Sequence, residues 1–105
     1  MRTCLAAAAL LALAAPAAAA QDAARGADLA GQSCTGCHHV APGGPYKMYP
    51  PSFAAIATYR ARDQIIARIW MPPLHSNMPT GVYDLTADDV DDLVAYITSL
   101  DGTAE

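Results

Sequence analysis

Positive charge is scarce in this sequence. Ten acidic residues stand against six basic ones, a formal charge of −4 over 105 residues. Nucleic-acid binding is therefore excluded as a first reading, because it needs Lys and Arg to replace counterions on the phosphates. Cysteine is scarce as well, with Cys4, Cys34 and Cys37 making the full set. No second CxxC and no HxxxH accompanies them, so the four ligands of a structural zinc site are hard to assemble. Strand-like alternation is missing, which removes the strand-to-helix setting of a thioredoxin-type redox pair. There is no internal repeat. No Ser-His-Asp arrangement and no coherent pair of carboxylates is present, so the chain is not expected to be an enzyme by itself. Finally, no apolar run approaches the roughly 20 strongly hydrophobic residues that a spanning helix needs.

The first residues read as an address. Arg2 supplies a short positive end, Leu5 to Ala15 is a continuous Leu/Ala run, and Pro16 breaks it. Ala18-Ala19-Ala20 then offers the small-x-small pattern of a signal-peptidase site before Gln21. Residues 1–20 are thus expected to be a signal peptide, leaving a single domain over 21–105 with no stable membrane insertion. Cys4 precedes the apolar run and leaves with the signal. The remaining domain carries five basic residues against ten acidic ones, a formal −5. That balance suits a partner with a basic docking patch. So short a domain buries little apolar surface, and such domains often need a metal, disulfides or a cofactor.

Periodicity in the domain is helical. Asp22 is placed to cap a first helix running through Gly26, Leu29 and Ala30 towards Cys34. Val40 to Pro51 is rich in proline and glycine and reads as loop. Ser52 can cap a short helix, "FAAIATY", and a further run places Ile65, Ile66, Ile69 and Trp70 on one side until Pro72-Pro73 stops it. "LHSNMPTGVYD" is again loop. In the last helix Thr86 and Asp89 form a capping-box pattern, with Asp in the glutamate place. Val90, Leu93, Val94, Ile97 and Leu100 make its apolar stripe, and Gly102 is a natural stop. The acidic run Asp88 to Asp92 reads as a solvated helix face. Tyr59 and Tyr96 read as core residues with wet tips, Trp70 as packing around a cofactor, and His39 as a surface residue. The expectation is an all-α fold of three to five helices with long loops.

The chemistry is concentrated in "CTGCHHV", Cys34 to Val40. C-x-x-C-H is the attachment signature of covalent haem. Two thiols add to the two vinyl groups along one porphyrin edge, and the next residue places an imidazole under the iron. A short chain can hold a large cofactor permanently in this way. For the opposite side of the iron, Met78 is the best candidate. It lies in a proline-flanked loop, 40 residues after His38. Met48, Met71 and His75 are the other possible ligands. Met48 is only ten residues from His38, Met71 ends a helix, and His75 would produce a bis-histidine site.

Taken together, CTGCH near the start of the domain, the methionine–proline loop and the final "LVAYITSL" make the chain resemble a small soluble bacterial class I cytochrome c over nearly all of residues 21–105. The resemblance implies a cytochrome c-like fold wrapped around one covalently bound haem c with its iron. It implies that Cys34 and Cys37 form the thioethers, that His38 is the proximal ligand and that Met78 is the distal one. Pro51, in "PSF", matches the proline whose carbonyl accepts the proximal histidine's ring N–H. Gly26 would lie where the first helix crosses the last, beside Leu93 and Tyr96. Ala30 departs from the pattern, since many members carry an aromatic residue there, and this implies a looser crossing or one filled from elsewhere.

The function so implied is periplasmic one-electron transport with His/Met ligation. A dehydrogenase, a respiratory complex or a terminal oxidase would serve as donor or acceptor. The competing reading is a haem enzyme or a gas or peroxide sensor, in which the distal position is open or exchangeable.

Overall fold

A computed structural model describes residues 21–46, 49–74, 76–79 and 84–105. Among them are four helices and no strand: α1 (Ala23–Ser33), α2 (Phe53–Tyr59), α3 (Arg62–Trp70) and α4 (Ala87–Ser99). The expected signal peptide, residues 1–20, lies outside the described residues, as do Met48 and His75.

Local chemistry explains where most of these helices start. The Asp22 carboxylate accepts from the Arg25 backbone N–H, and the Ser52 hydroxyl accepts from that of Ala55 at 3.2 Å. At α4 the Thr86 hydroxyl accepts from the Asp89 N–H at 3.2 Å, while the Asp89 carboxylate accepts from the Thr86 N–H at 2.8 Å. Each pair satisfies backbone donors that the first turn of a helix leaves unpaired. Ala61 has no side chain able to cap α3, and here Gln64 reaches back to accept from the Ala61 N–H at 3.0 Å. Trp70 is the last residue of α3, ahead of Pro72 and Pro73, and Gly102 takes a φ of +78° just beyond α4.

All three other helices pack on α4, and α1 does so most extensively. Its stripe of Val90, Leu93, Val94, Ile97 and Leu100 is buried as expected, together with Ala30, Phe53, Ala54, Ile65 and Ile69. A methyl group on Gly26 would sit 2.0 Å from the Asp92 carbonyl oxygen and 2.9 Å from Tyr96 Cβ. The two backbones therefore touch, which only a residue without a side chain permits. The nearest atoms to Gly26 belong to Asp92 and to Tyr96, the latter as expected. The crossing is tight rather than loose, because the small and fully buried Ala30 lets the helices close.

The acidic run of α4 is only partly the solvated face that its charge suggested: Asp88 is exposed and Asp91 half-exposed, but the other two aspartates are buried. Asp89 and Asp92 are each only 8% exposed. Arg25 of α1 spans both, donating to Asp92 Oδ2 at 2.7 Å and to Asp89 Oδ1, while the Asp22 backbone N–H donates to Asp92 Oδ1 at 2.7 Å. The Thr86 backbone and hydroxyl, and then Arg25, hold the Asp89 carboxyl down to about 2. Asp92 is lowered by the Asp22 backbone bond first and by Arg25 second. Two carboxylates are tolerated at a helix crossing because each is fully hydrogen-bonded.

Candidate haem-attachment site

The backbone of α1 runs straight into the cysteine motif. The Cys34 N–H donates to the Ala30 carbonyl at 2.9 Å, and the His38 N–H donates to the Cys34 carbonyl at the same distance. Cys37 also points its N–H at Cys34, at 3.2 Å. The motif is thus a helical continuation folded into a turn, and it brings Cys34, Cys37 and His38 together. Both thiols are free of any disulfide; Cys34 is partly buried and Cys37 exposed. Burial, followed by the neighbouring Cys37, pushes the Cys34 thiol upward. A thiol redox centre requires the opposite shift, since the thiolate is the nucleophile.

His38 is oriented by a single strong contact. Its Nδ1 lies 2.6 Å from the Pro51 carbonyl oxygen. A carbonyl can only accept, so Nδ1 carries the proton and Nε2 keeps its lone pair for a metal. The match between Pro51 and the proximal-histidine acceptor is therefore present in the geometry. The Phe53 ring packs against the imidazole, with centroids 5.5 Å apart. Next to it, the Phe53 N–H donates to the His39 carbonyl at 2.9 Å. The His39 side chain is exposed, as expected. Gly44 closes the following loop: a methyl group there would meet His39 Nδ1 at 2.5 Å and Ser52 Cβ at 2.8 Å.

Met78 lies on a separate loop. It is partly buried and packs against the same core cluster that Cys34 borders. Met71, by contrast, is 76% exposed at the end of α3. Near Met78 the Ser76 hydroxyl is buried with no hydrogen-bond partner among the described residues.

These features fit a haem. The free cysteine pair could supply two thioether positions, and the oriented imidazole a ligand nitrogen. Trp70, Met71 and Leu74 are 42%, 76% and 92% exposed, an amount of uncovered apolar surface that a large apolar group can shield. The orphan Ser76 hydroxyl suits a polar substituent such as a propionate.

Two aromatic readings are corrected. Tyr59 is 68% exposed and meets Tyr46 edge-on at 5.9 Å, because the helical face that carries it turns away from α4. Tyr96 is half-buried as expected, but its hydroxyl is not a wet tip: it donates to the Val40 carbonyl at 2.6 Å. The sequence reading also missed Arg25 with its two aspartates. A usable signal existed, since Asp89, Asp92 and Tyr96 follow each other at helical spacing and so share one side of α4.

Compared with known proteins, the family model described as Cytochrome c matches residues 23–101. The match covers all four helices, the cysteine motif and the Met78 loop. No curated protein and no solved structure gives a significant match.

Proposed function

The chain belongs to the cytochrome c family, and from that premise we propose that it is a periplasmic one-electron carrier with a single haem, bound covalently by Cys34 and Cys37 and ligated by His38 and Met78. The observation that carries the reading is the 2.6 Å contact between His38 Nδ1 and the Pro51 carbonyl, next to two unpaired cysteines in one turn. Such a hydrogen bond beyond the ligand fixes the imidazole's tautomer and its orientation.

Bound there, the haem supplies one-electron chemistry through its ferric and ferrous iron. The protein's part is to hold, orient and enclose. Cys34 and Cys37 would make the attachment permanent. His38 would offer Nε2 while Pro51 keeps the ring from turning. Met78 would offer a neutral thioether, which favours the ferrous state and places the potential high for a haem protein. With His38 and Met78 both holding the metal, no substrate would reach it, so the chain would transfer electrons without being an enzyme by itself.

Export follows from the Leu/Ala run of residues 5–15 and the Ala18-Ala19-Ala20 site. No helix among the described residues is long and apolar enough to cross a membrane. A dehydrogenase, a respiratory complex or a terminal oxidase would be the donor or acceptor, and the formal −5 of the domain suits a basic docking patch on it.

Absorption spectra of the ferric and ferrous protein test the proposal. Wild type should show the weak methionine–iron charge-transfer band in the far red and should resist carbon monoxide at neutral pH. In Met78→Ala that band should vanish, the potential should fall and carbon monoxide should bind the reduced protein readily. Met48→Ala, Met71→Ala and His75→Ala should each keep the band. A wild-type protein that lacks the band and binds carbon monoxide at once has an open distal site, and the enzyme or sensor reading then replaces the carrier.

A further inference from the structure

We propose that Tyr96 is a positioning residue for the His38 imidazole, acting from α4 through the Val40 carbonyl and the Phe53 ring. The inference rests on the reading of His38 as an iron ligand.

Three contacts in a row hold the segment from His38 to Val40. His38 Nδ1 meets the Pro51 carbonyl at 2.6 Å, the His39 carbonyl accepts from the Phe53 N–H at 2.9 Å, and the Val40 carbonyl accepts from the Tyr96 hydroxyl at 2.6 Å. The first two tie the segment to residues 51–53 alone. The third ties it to α4, 56 residues away in the chain. The side chains repeat this connection. Phe53 is 3% exposed and packs with both other rings, 5.5 Å from His38 and 6.5 Å from Tyr96 by centroids. The buried Phe53 ring thus couples the packing of the imidazole to that of Tyr96.

The other end of the segment is fixed by α1, through the Cys34 N–H bond to Ala30 and the His38 N–H bond to Cys34. Helices α1 and α4 are locked together where Gly26 touches Asp92 and Tyr96. His38 thus lies on a short span whose two ends are held by helices that cannot slide relative to one another. The Tyr96 hydroxyl is the tie at the second end. Removing it leaves the helix crossing and the ring packing in place and releases the backbone two residues beyond the ligand.

The holoprotein variants Tyr96→Phe and Tyr59→Phe test this. Hydrogen exchange of the His38 Nδ1 proton is followed by NMR in the ferrous state, with the Val94 amide as a reporter of global opening. Loss of a single hydrogen bond should speed His38 exchange about tenfold in Tyr96→Phe and change Val94 exchange by about twofold at most. Ferric His38 ring signals should shift in the same variant, and Tyr59→Phe should match wild type throughout. Incorporating 3-fluorotyrosine at position 96 keeps the shape and makes the hydroxyl a stronger donor, so His38 exchange should slow. Equal acceleration at His38 and Val94 would make Tyr96 a stabilising residue only, and overturns the proposal. Unmoved His38 signals in both altered proteins overturn it too. A wild-type protein whose His38 ring signals show no displacement by a bound haem overturns the ligand reading along with it, an outcome distinct from signals that are displaced but unmoved by the variants.

Discussion

Helix α1 joins two regions built by different chemistry. Its first turns cross α4, where protein atoms satisfy everything: Arg25 spans Asp89 and Asp92, the Asp22 N–H completes Asp92, and Gly26 lets the backbones touch. Its last turn runs into Cys34, Cys37 and His38, where two thiols stay unpaired and the imidazole has one ring nitrogen engaged. Neighbouring stretches of the chain thus differ: the crossing has all its polar groups paired, while the motif beyond α1 keeps two thiols and one imidazole nitrogen unengaged. The difference shows what a domain this small can do by itself. It closes a helix crossing with three charged side chains and a glycine, while Trp70, Met71 and Leu74 lie outside the core of Phe53, Ile65, Leu93 and Ile97.

The sharpest way to break this contrast is to remove the attachment. Cys34→Ala with Cys37→Ala should abolish covalent haem and leave a chain without a cooperative unfolding transition, since the crossing is too little to hold the remainder. Mass spectrometry and circular dichroism check both parts; wild type should have the mass of residues 21–105 plus one haem. A cooperatively folded double variant would mean that the protein atoms suffice.

At the crossing, Gly26→Ala should destabilise the holoprotein by at least the roughly 1–3 kcal/mol usual for overpacking, since the added carbon meets a carbonyl oxygen and not a flexible side chain. The denaturation midpoint should fall while the spectrum of the folded protein stays unchanged. A changed spectrum would show that the two regions are not separable. On the attachment side, Ser52→Ala removes the α2 cap and should cost about 1 kcal/mol. Because Ser52 lies between Pro51 and Phe53, an accompanying shift in potential would show that the cap also steadies the His38 contacts.

The smallest effect near neutral pH concerns the acidic pair. The Asp89 carboxyl is lowered from 3.8 to about 2 in the folded protein, so its contribution is complete above about 4 and is lost as pH falls from there towards 2. Asp92 shifts in the same direction. Acid unfolding of wild type should therefore steepen in that window. Asp89→Asn should flatten that part of the curve. An unchanged acid limb would mean that Thr86 and Arg25 do not hold the Asp89 carboxylate in solution.

Features whose causes lie within a few residues were legible without the fold. Asp22, Ser52 and Thr86 start helices because a side-chain oxygen reaches a backbone N–H about three residues on, and that geometry is local. The α4 stripe follows from helical spacing, and the Cys34-x-x-Cys37-His38 motif states its chemistry by residue type and interval. Even the Pro51 contact was legible, through the resemblance of "PSF" to the family pattern. Only the tertiary structure decided what depends on bringing distant residues together. Asp89 and Asp92 read as solvent-facing until Arg25, 64 and 67 residues away, is folded against them. Tyr59 turns outward because its side of α2 faces away from α4, while Tyr96 points at Val40 because the loop after His38 is drawn back across the last helix. Periodicity reports that a helix has an inner side; which charges and hydroxyls find partners there depends on long-range packing, which no local pattern encodes.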